Sequence, residues 1–290
     1  MERQSKPAFN PYLVLALGVT GISFSAFLAR MTEAPPAIIA FWRLIFTCLL
    51  LSPMAIRDRA QFKAVGKKDF LLSLLSGLFL CFHFVFWFAS LRKTTVSSAT
   101  LLVNIHPLVV VTAGWLGKEK MRPGALPWAG AALAGIALLG WGGLQATGAF
   151  AGNLLAAAGG LMLAGYYLVG RFVRPRVAIS IYSFLVYSSS ALLLLAFNLA
   201  TRNPLFSYNA SDWLVFAALA VVPTICGHTL LNWSLKYLPA GAVSVGALGE
   251  PVIATILAVP LLHEIPGLVQ LAGGIMVIGG IGMFLRASRK

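Results

Sequence analysis

Apolar residues fill this chain in runs of about twenty, divided by short polar joints. Ten such runs stand out, at roughly 11–29, 37–56, 70–91, 95–116, 124–142, 152–172, 179–200, 213–235, 240–262 and 265–285. A helix rises ~1.5 Å per residue, so each run is long enough to cross a hydrocarbon core about 30 Å thick. The joints carry proline, asparagine and charge, as in Glu33-Ala34-Pro35-Pro36, Lys118-Glu119-Lys120, Asn203-Pro204 and His263-Glu264-Ile265-Pro266. Those near 92–95 and 236–239 are tight enough that the flanking runs form helical hairpins. The pattern predicts an all-α integral membrane protein with ten transmembrane helices.

Within the ninth run, Gly249-Glu250-Pro251-Val252 breaks the apolar pattern. Glu250 lies about 15 Å from the start of the run at ~1.5 Å per residue, near the bilayer midplane. A carboxylate there needs a partner or a wet cavity. Pro251 leaves the Ala247 carbonyl without its helical donor, and a break at that depth must be covered by protein or a cavity.

Sliding the chain by 144 positions lays its second half on its first. Ser90-Leu91-Arg92 meets Ser234-Leu235-Lys236, Pro107 meets Pro251, His106 meets Glu250, and Gly130 and Gly135 meet Gly274 and Gly279. Two five-span halves, residues 1–147 and 148–290, follow. Because five is odd, the halves have inverted topology, and inverted repeats with interrupted helices at matching positions are a transporter pattern.

Composition sharpens the picture. Of 290 residues, 59% are hydrophobic and 10% charged, against about 25% charged in a soluble domain. The net charge of +14 forms no stripe, so nucleic-acid binding is not indicated. The charge instead sets orientation. With both termini in the cytoplasm, the outer joints hold only Arg30, Arg92, Lys93 and Arg202, and Arg43 stays within a run; every other Lys and Arg is cytoplasmic. Cys48, Cys81 and Cys226 sit in apolar runs with no metal-ligand spacing, and no metal or cofactor is expected. The first run lacks a clear cleavage site and is read as a retained span.

Several polar residues recur at helical spacing. Ser76, His83, Trp87 and Ser90 share one face of the third run, and Thr224, His228 and Asn232 one face of the eighth. A histidine facing lipid is costly, so both stripes are read as facing a cavity, the plainer alternative being packed polar side chains. Asn104 can line a cavity or bond a neighbouring helix. His106 is expected to point away from the site, and Pro107 and Pro251 to bend or gate the helices. Arg43 can snorkel to the headgroups, bind a substrate carboxylate or offset Glu250. Trp42 reads as an interface anchor. Of Tyr166 and Tyr167, one faces inward. Ala131 and Gly135 read as tight helix packing.

Phe41-Trp42-Arg43-Leu44, Asn104-Ile105-His106-Pro107, and Gly249-Glu250-Pro251-Val252 running on to His263-Glu264 and Gly273-Gly274 resemble the drug/metabolite transporter superfamily, nearest its EamA branch. The resemblance covers essentially the whole chain; length and aromatic content are most similar to bacterial aromatic amino-acid exporters. It implies an inner-membrane exporter of amino acids or similar metabolites, with spans one to four and six to nine around a central cavity and spans five and ten outside. The first half departs from the second in carrying His106 where Glu250 stands. No acidic residue lies deep in span one, which argues against tight proton coupling. An exporter of hydrophobic cationic drugs is the nearest rival. An intramembrane enzyme would need a nucleophile–base pair, HExxH or a carboxylate dyad, and a channel a filter loop; neither pattern is present. Monomer and homodimer are both open.

Overall fold

The structure is a computed structural model that describes residues 7–116, 123–140, 149–262 and 266–289. The joint at 118–120, the pair His263-Glu264, the boundary near 147 and the outermost charges Arg3, Lys6 and Lys290 lie outside the described residues. Every element among the described residues is helical. Eight segments are long and apolar enough to cross a membrane, and two shorter apolar helices, Ser98–Gly114 and Leu126–Leu139, accompany them.

The chain begins with α1 (Pro11–Ile22) and α2 (Ser25–Arg30), one apolar run bent at Ser23, whose hydroxyl donates to the Val19 carbonyl at 2.7 Å. Such back-bonding competes with the helix and bends it. α3 (Pro36–Arg57) follows, then the short α4 (Arg59–Lys63) and α5 (Lys67–Leu91). The fourth run is split into α6 (Val96–Val103) and α7 (His106–Leu116), and the fifth is α8 (Leu126–Gly140). Then come α9 (Phe150–Val173) and α10 (Ile179–Ala200). The eighth run is composite: α11 (Ala210–Leu219), a π-helical stretch Ala220–Thr229, and α12 (Leu230–Ser234). The ninth is split into α13 (Ala240–Ala247) and α14 (Gly249–Leu262), and α15 (Leu268–Arg289) ends the chain. Pro107 and Pro251 fall in the first turns of α7 and α14, where the missing N–H has no helical partner to lose. The break therefore precedes each proline, at Asn104-Ile105 and at Leu248.

Small residues set the closest approaches. A Cβ on Gly21 would lie 2.4 Å from the Cys226 carbonyl oxygen, so α1 crosses the π stretch backbone to backbone. α5 packs along α9, α3 along α10, and α7 against α13. α8 lies along α15: a Cβ on Gly135 would stand 2.7 Å from the Gly273 oxygen, and one on Gly280 2.6 Å from the Ala132 nitrogen. This is membrane helix packing through small residues. The outward side of α15 exposes Leu268, Val269, Leu271, Ile275 and Ile278, a surface suited to lipid.

Polar side chains tie both ends of the bundle. At one end Arg92 pairs with Glu33 at 2.6 Å, the Thr32 hydroxyl donates to Asp212 at 2.5 Å, and Trp42 Nε1 donates to the Leu205 carbonyl at 2.8 Å. Trp42 also meets Trp213 edge-on at 4.6 Å, so it packs within the bundle end. At the other end Arg176 pairs with Asp69 at 2.5 Å, and the Ser180 hydroxyl donates to Asp58 at 2.5 Å. Ser76 and Tyr182 share a hydrogen bond of 2.7 Å one layer further in.

Candidate transport cavity

Between α1, α2, α5, α9, the π stretch and the two broken helices lies a small cavity of about 20 Å³. Its polar wall is Ser25, His83, His106, Tyr167, His228 and Glu250; its apolar wall includes Ile22, Phe84, Trp87, Val103, Leu163 and Ala247. Each break delivers one titratable group to it. His106 opens α7 just past the Asn104-Ile105 break, and Glu250 is the second residue of α14.

The three histidines are held differently. His83 Nδ1 meets the Gly159 carbonyl at 3.0 Å and His106 Nδ1 the Val103 carbonyl at 3.2 Å. A carbonyl only accepts, so Nδ1 carries the proton in both, and Nε2 of the neutral ring is the acceptor. His228 stands 6.2 Å from His83, and its ring meets the Phe84 ring at 5.4 Å, edge against face. His228 Nδ1, His106 Nε2 and the Tyr167 hydroxyl are buried and have no hydrogen-bond partner among the described residues. An unmatched buried polar group costs about 1–3 kcal/mol, so these three atoms are free to take a hydrogen bond from water or a solute. Among the described residues no cation comes within 4.0 Å of the Glu250 carboxylate.

Several placements differ from what the sequence suggested. Arg43 is 0% exposed, which rules out a side chain reaching the headgroups. Its guanidinium lies 4.2 Å above the Phe84 ring, one side chain behind the cavity wall, and interacts electrostatically with Glu250. His106, expected from the sequence to point elsewhere, lines the cavity from the first position of α7, just past the break. Tyr167 walls the cavity; Tyr166 turns behind it and accepts a short hydrogen bond from Asn232 Nδ2. Asn232 is therefore a packing partner of Tyr166. Asn104 donates to its own helix at Thr100, 2.8 Å away, and stands outside the cavity wall. Trp87, His83, His228 and Glu250 line the cavity together. Ser25 and Phe84 went unnoticed in the sequence: a lone serine and one phenylalanine among 19 carry no distinguishing signal there.

A helical bundle with eight membrane-length apolar segments around a buried polar cavity defines a multi-pass membrane protein that handles a small solute. The sequence model of the EamA-like transporter family matches residues 10–141 and again residues 150–286. The chain belongs to that family. Among its relatives, an Archaeoglobus fulgidus protein described as an uncharacterized transporter is 23% identical over 274 residues, covering 93% of this chain and 94% of its own. The uncharacterized transporter YdfC of Bacillus subtilis is 24% identical over 272 residues, 92% of this chain and 87% of its own. A solved crystal structure superposes with a TM-score of 0.80 over 96% of this chain and 97% of its own, at 21% identity, a likeness of fold.

Proposed function

We propose that this transporter carries amino acids, aromatic ones included, or similar small metabolites out of a bacterial cell across the inner membrane, with both termini cytoplasmic. The observation that carries this reading is Glu250: a carboxylate on the wall of an aromatic and histidine-lined cavity, with no cation within 4.0 Å among the described residues. A substrate ammonium group meets it, while Trp87 and Tyr167 offer aromatic surface to an apolar side chain. His83, His106 and His228 supply the remaining polar contacts.

The movement is alternating access between two inverted five-span halves, residues 1–147 and 148–290, with Pro107 and Pro251 at the paired breaks. Three observations support it. Asn104 and Leu248, the sites of the two breaks, are 144 positions apart, the repeat shift. α5 packs on α9 in one place, and α1 packs on the π stretch and α12 in the other, which are the same contact with the halves exchanged. The family match itself falls in two stretches. α8 and α15 then brace the halves from outside.

The test is counterflow in proteoliposomes: labelled phenylalanine should accumulate against unlabelled internal phenylalanine. If no amino acid moves in either direction, the reading is wrong. One observation favours a second substrate class. Glu250 reaches the cavity surface whereas Arg43 stands behind it, so a hydrophobic cation fits as well. Cationic drugs that move without competing against amino acids would select that class.

A further inference from the structure

The eighth apolar segment meets the cavity through the π-helical stretch Ala220–Thr229. π turns are rare, usually single, and frequent at functional sites. Here two hydroxyls reach back five residues: Thr224 Oγ1 donates to the Leu219 carbonyl at 2.7 Å, and Thr229 Oγ1 to the Thr224 carbonyl at 3.1 Å. A hydroxyl has one proton. With that proton on Leu219, Thr224 Oγ1 presents lone pairs alone, and it accepts Arg43 Nε–H at 2.6 Å. Arg43 Nη1 donates to Ser25 Oγ at 3.1 Å, and Nη2 has no partner among the described residues. The side chain is fully buried, and Ser25 and Phe84, which it touches, are both cavity wall.

A planar fork of donors is thus clamped at its stem by Thr224. Its Nη1 stands one hydroxyl, that of Ser25, behind the cavity, and its Nη2 is unpaired among the described residues. The Nη1–Nη2 edge is the geometry that takes a carboxylate with two parallel hydrogen bonds. Glu250 does not occupy it: no ion pair between the two forms within 4.0 Å.

We propose that Arg43 is the receptor for the carboxylate of the transported amino acid, and that Thr224, set by the π turn, is the positioning residue that keeps its Nη1–Nη2 edge toward the cavity and away from Glu250. This rests on the amino-acid reading above and deepens it: the substrate is a zwitterion, read at both ends. The substrate carboxylate displaces Ser25 from Nη1 and takes Nη1 and Nη2 together, while its ammonium lies at Glu250. Decarboxylated amines then use half the site.

The experiment measures proteoliposome counterflow of phenylalanine and of phenethylamine, its decarboxylated analogue, for wild type, Thr224→Val, Thr224→Ser and Ser25→Ala. Wild type prefers phenylalanine. Thr224→Val raises the KM for phenylalanine by about tenfold or more, the scale of one charge-assisted hydrogen bond, with kcat little changed. It also erases the preference over phenethylamine, and Thr224→Ser restores it. Ser25→Ala removes the resident competitor for Nη1 and lowers the KM for phenylalanine, which keeps the proposal testable should Thr224→Val fail to fold. A Thr224→Val protein that keeps the preference, or a Ser25→Ala protein that loses it, overturns the proposal. A wild type that moves both solutes equally overturns the Arg43 assignment and leaves amino-acid transport standing. A wild type that moves no amino acid overturns both.

Discussion

At the scale of single residues, one carboxylate carries the most weight. Glu250→Gln keeps the shape of the side chain and removes the carboxylate that we propose meets a substrate ammonium group. The expected result is a KM for phenylalanine raised about tenfold or more, since hydrogen bonds to charged groups are worth roughly 1.5–3 kcal/mol. Counterflow at varied substrate concentration measures it, and an unchanged KM removes Glu250 from the site. A second carboxylate gives a pH prediction. Asp58 sits outside the spans, and the hydrogen bond from Ser180, aided by Arg57, holds it below its ordinary value of 3.8. A depressed carboxylate stabilises the folded state above the unfolded value and loses that contribution as pH falls through the lower, folded one. Thermal stability in detergent should therefore decline below about pH 4, and Asp58→Asn should flatten that decline. Residue type and spacing point to His83, Trp87, His228 and Glu250 as cavity candidates. They cannot give Arg43 its place behind Phe84 or choose between Tyr166 and Tyr167. Those depend on helix rotation, and adjacent helical residues point about 100° apart whichever way the helix is turned.

Elements show the same division. Hydropathy located the eight membrane-length helices and the two shorter apolar ones, because burying apolar surface and satisfying the backbone internally are what a membrane span requires. It was silent about register. The bend at Ser23 and the π stretch carry hydroxyl back-bonds, and the breaks at Asn104-Ile105 and Leu248 precede prolines in the next helix; none of these changes hydropathy. α4, polar and short, is invisible to it for the opposite reason. Glycine spacing was legible and its meaning is physical: α8 and α15 approach until the Gly135 and Gly273 backbones touch. Gly135→Leu must push the pair apart. Overpacking of this kind costs about 1–3 kcal/mol, so the midpoint of thermal unfolding in detergent should fall. Gly130→Leu, which meets open space, should leave it unchanged.

For the whole molecule, the two ends of the bundle are fastened alike. Asp212 opens α11 and receives Thr32 from the joint between α2 and α3; Asp69 opens α5 and receives Arg176 from the joint between α9 and α10. Shifting by 144 carries Thr32 onto Arg176 and Asp69 to within one position of Asp212. A carrier that exposes its cavity to one side at a time must release such fastenings in turn. The Asp69–Arg176 pair is partly exposed, so its contribution is at most about 1 kcal/mol, roughly fivefold in the population of states open at that end. Asp69→Asn should accordingly speed maleimide labelling of Ser76→Cys, two turns inside, by up to that factor; unchanged labelling would show that the pair fastens nothing. The proposed repeat rests on one matched proline pair, two matched glycine pairs and a matched tight hairpin in an apolar background. The central claim is that one cavity, with Glu250 on its wall, selects an amino acid for transport. Counterflow of a panel of amino acids, amines and cationic drugs into proteoliposomes, comparing wild type with Glu250→Gln, tests it most directly. The account predicts saturable phenylalanine accumulation by wild type and its loss at low substrate in the variant; equal accumulation by both proteins, or none by wild type, would contradict it.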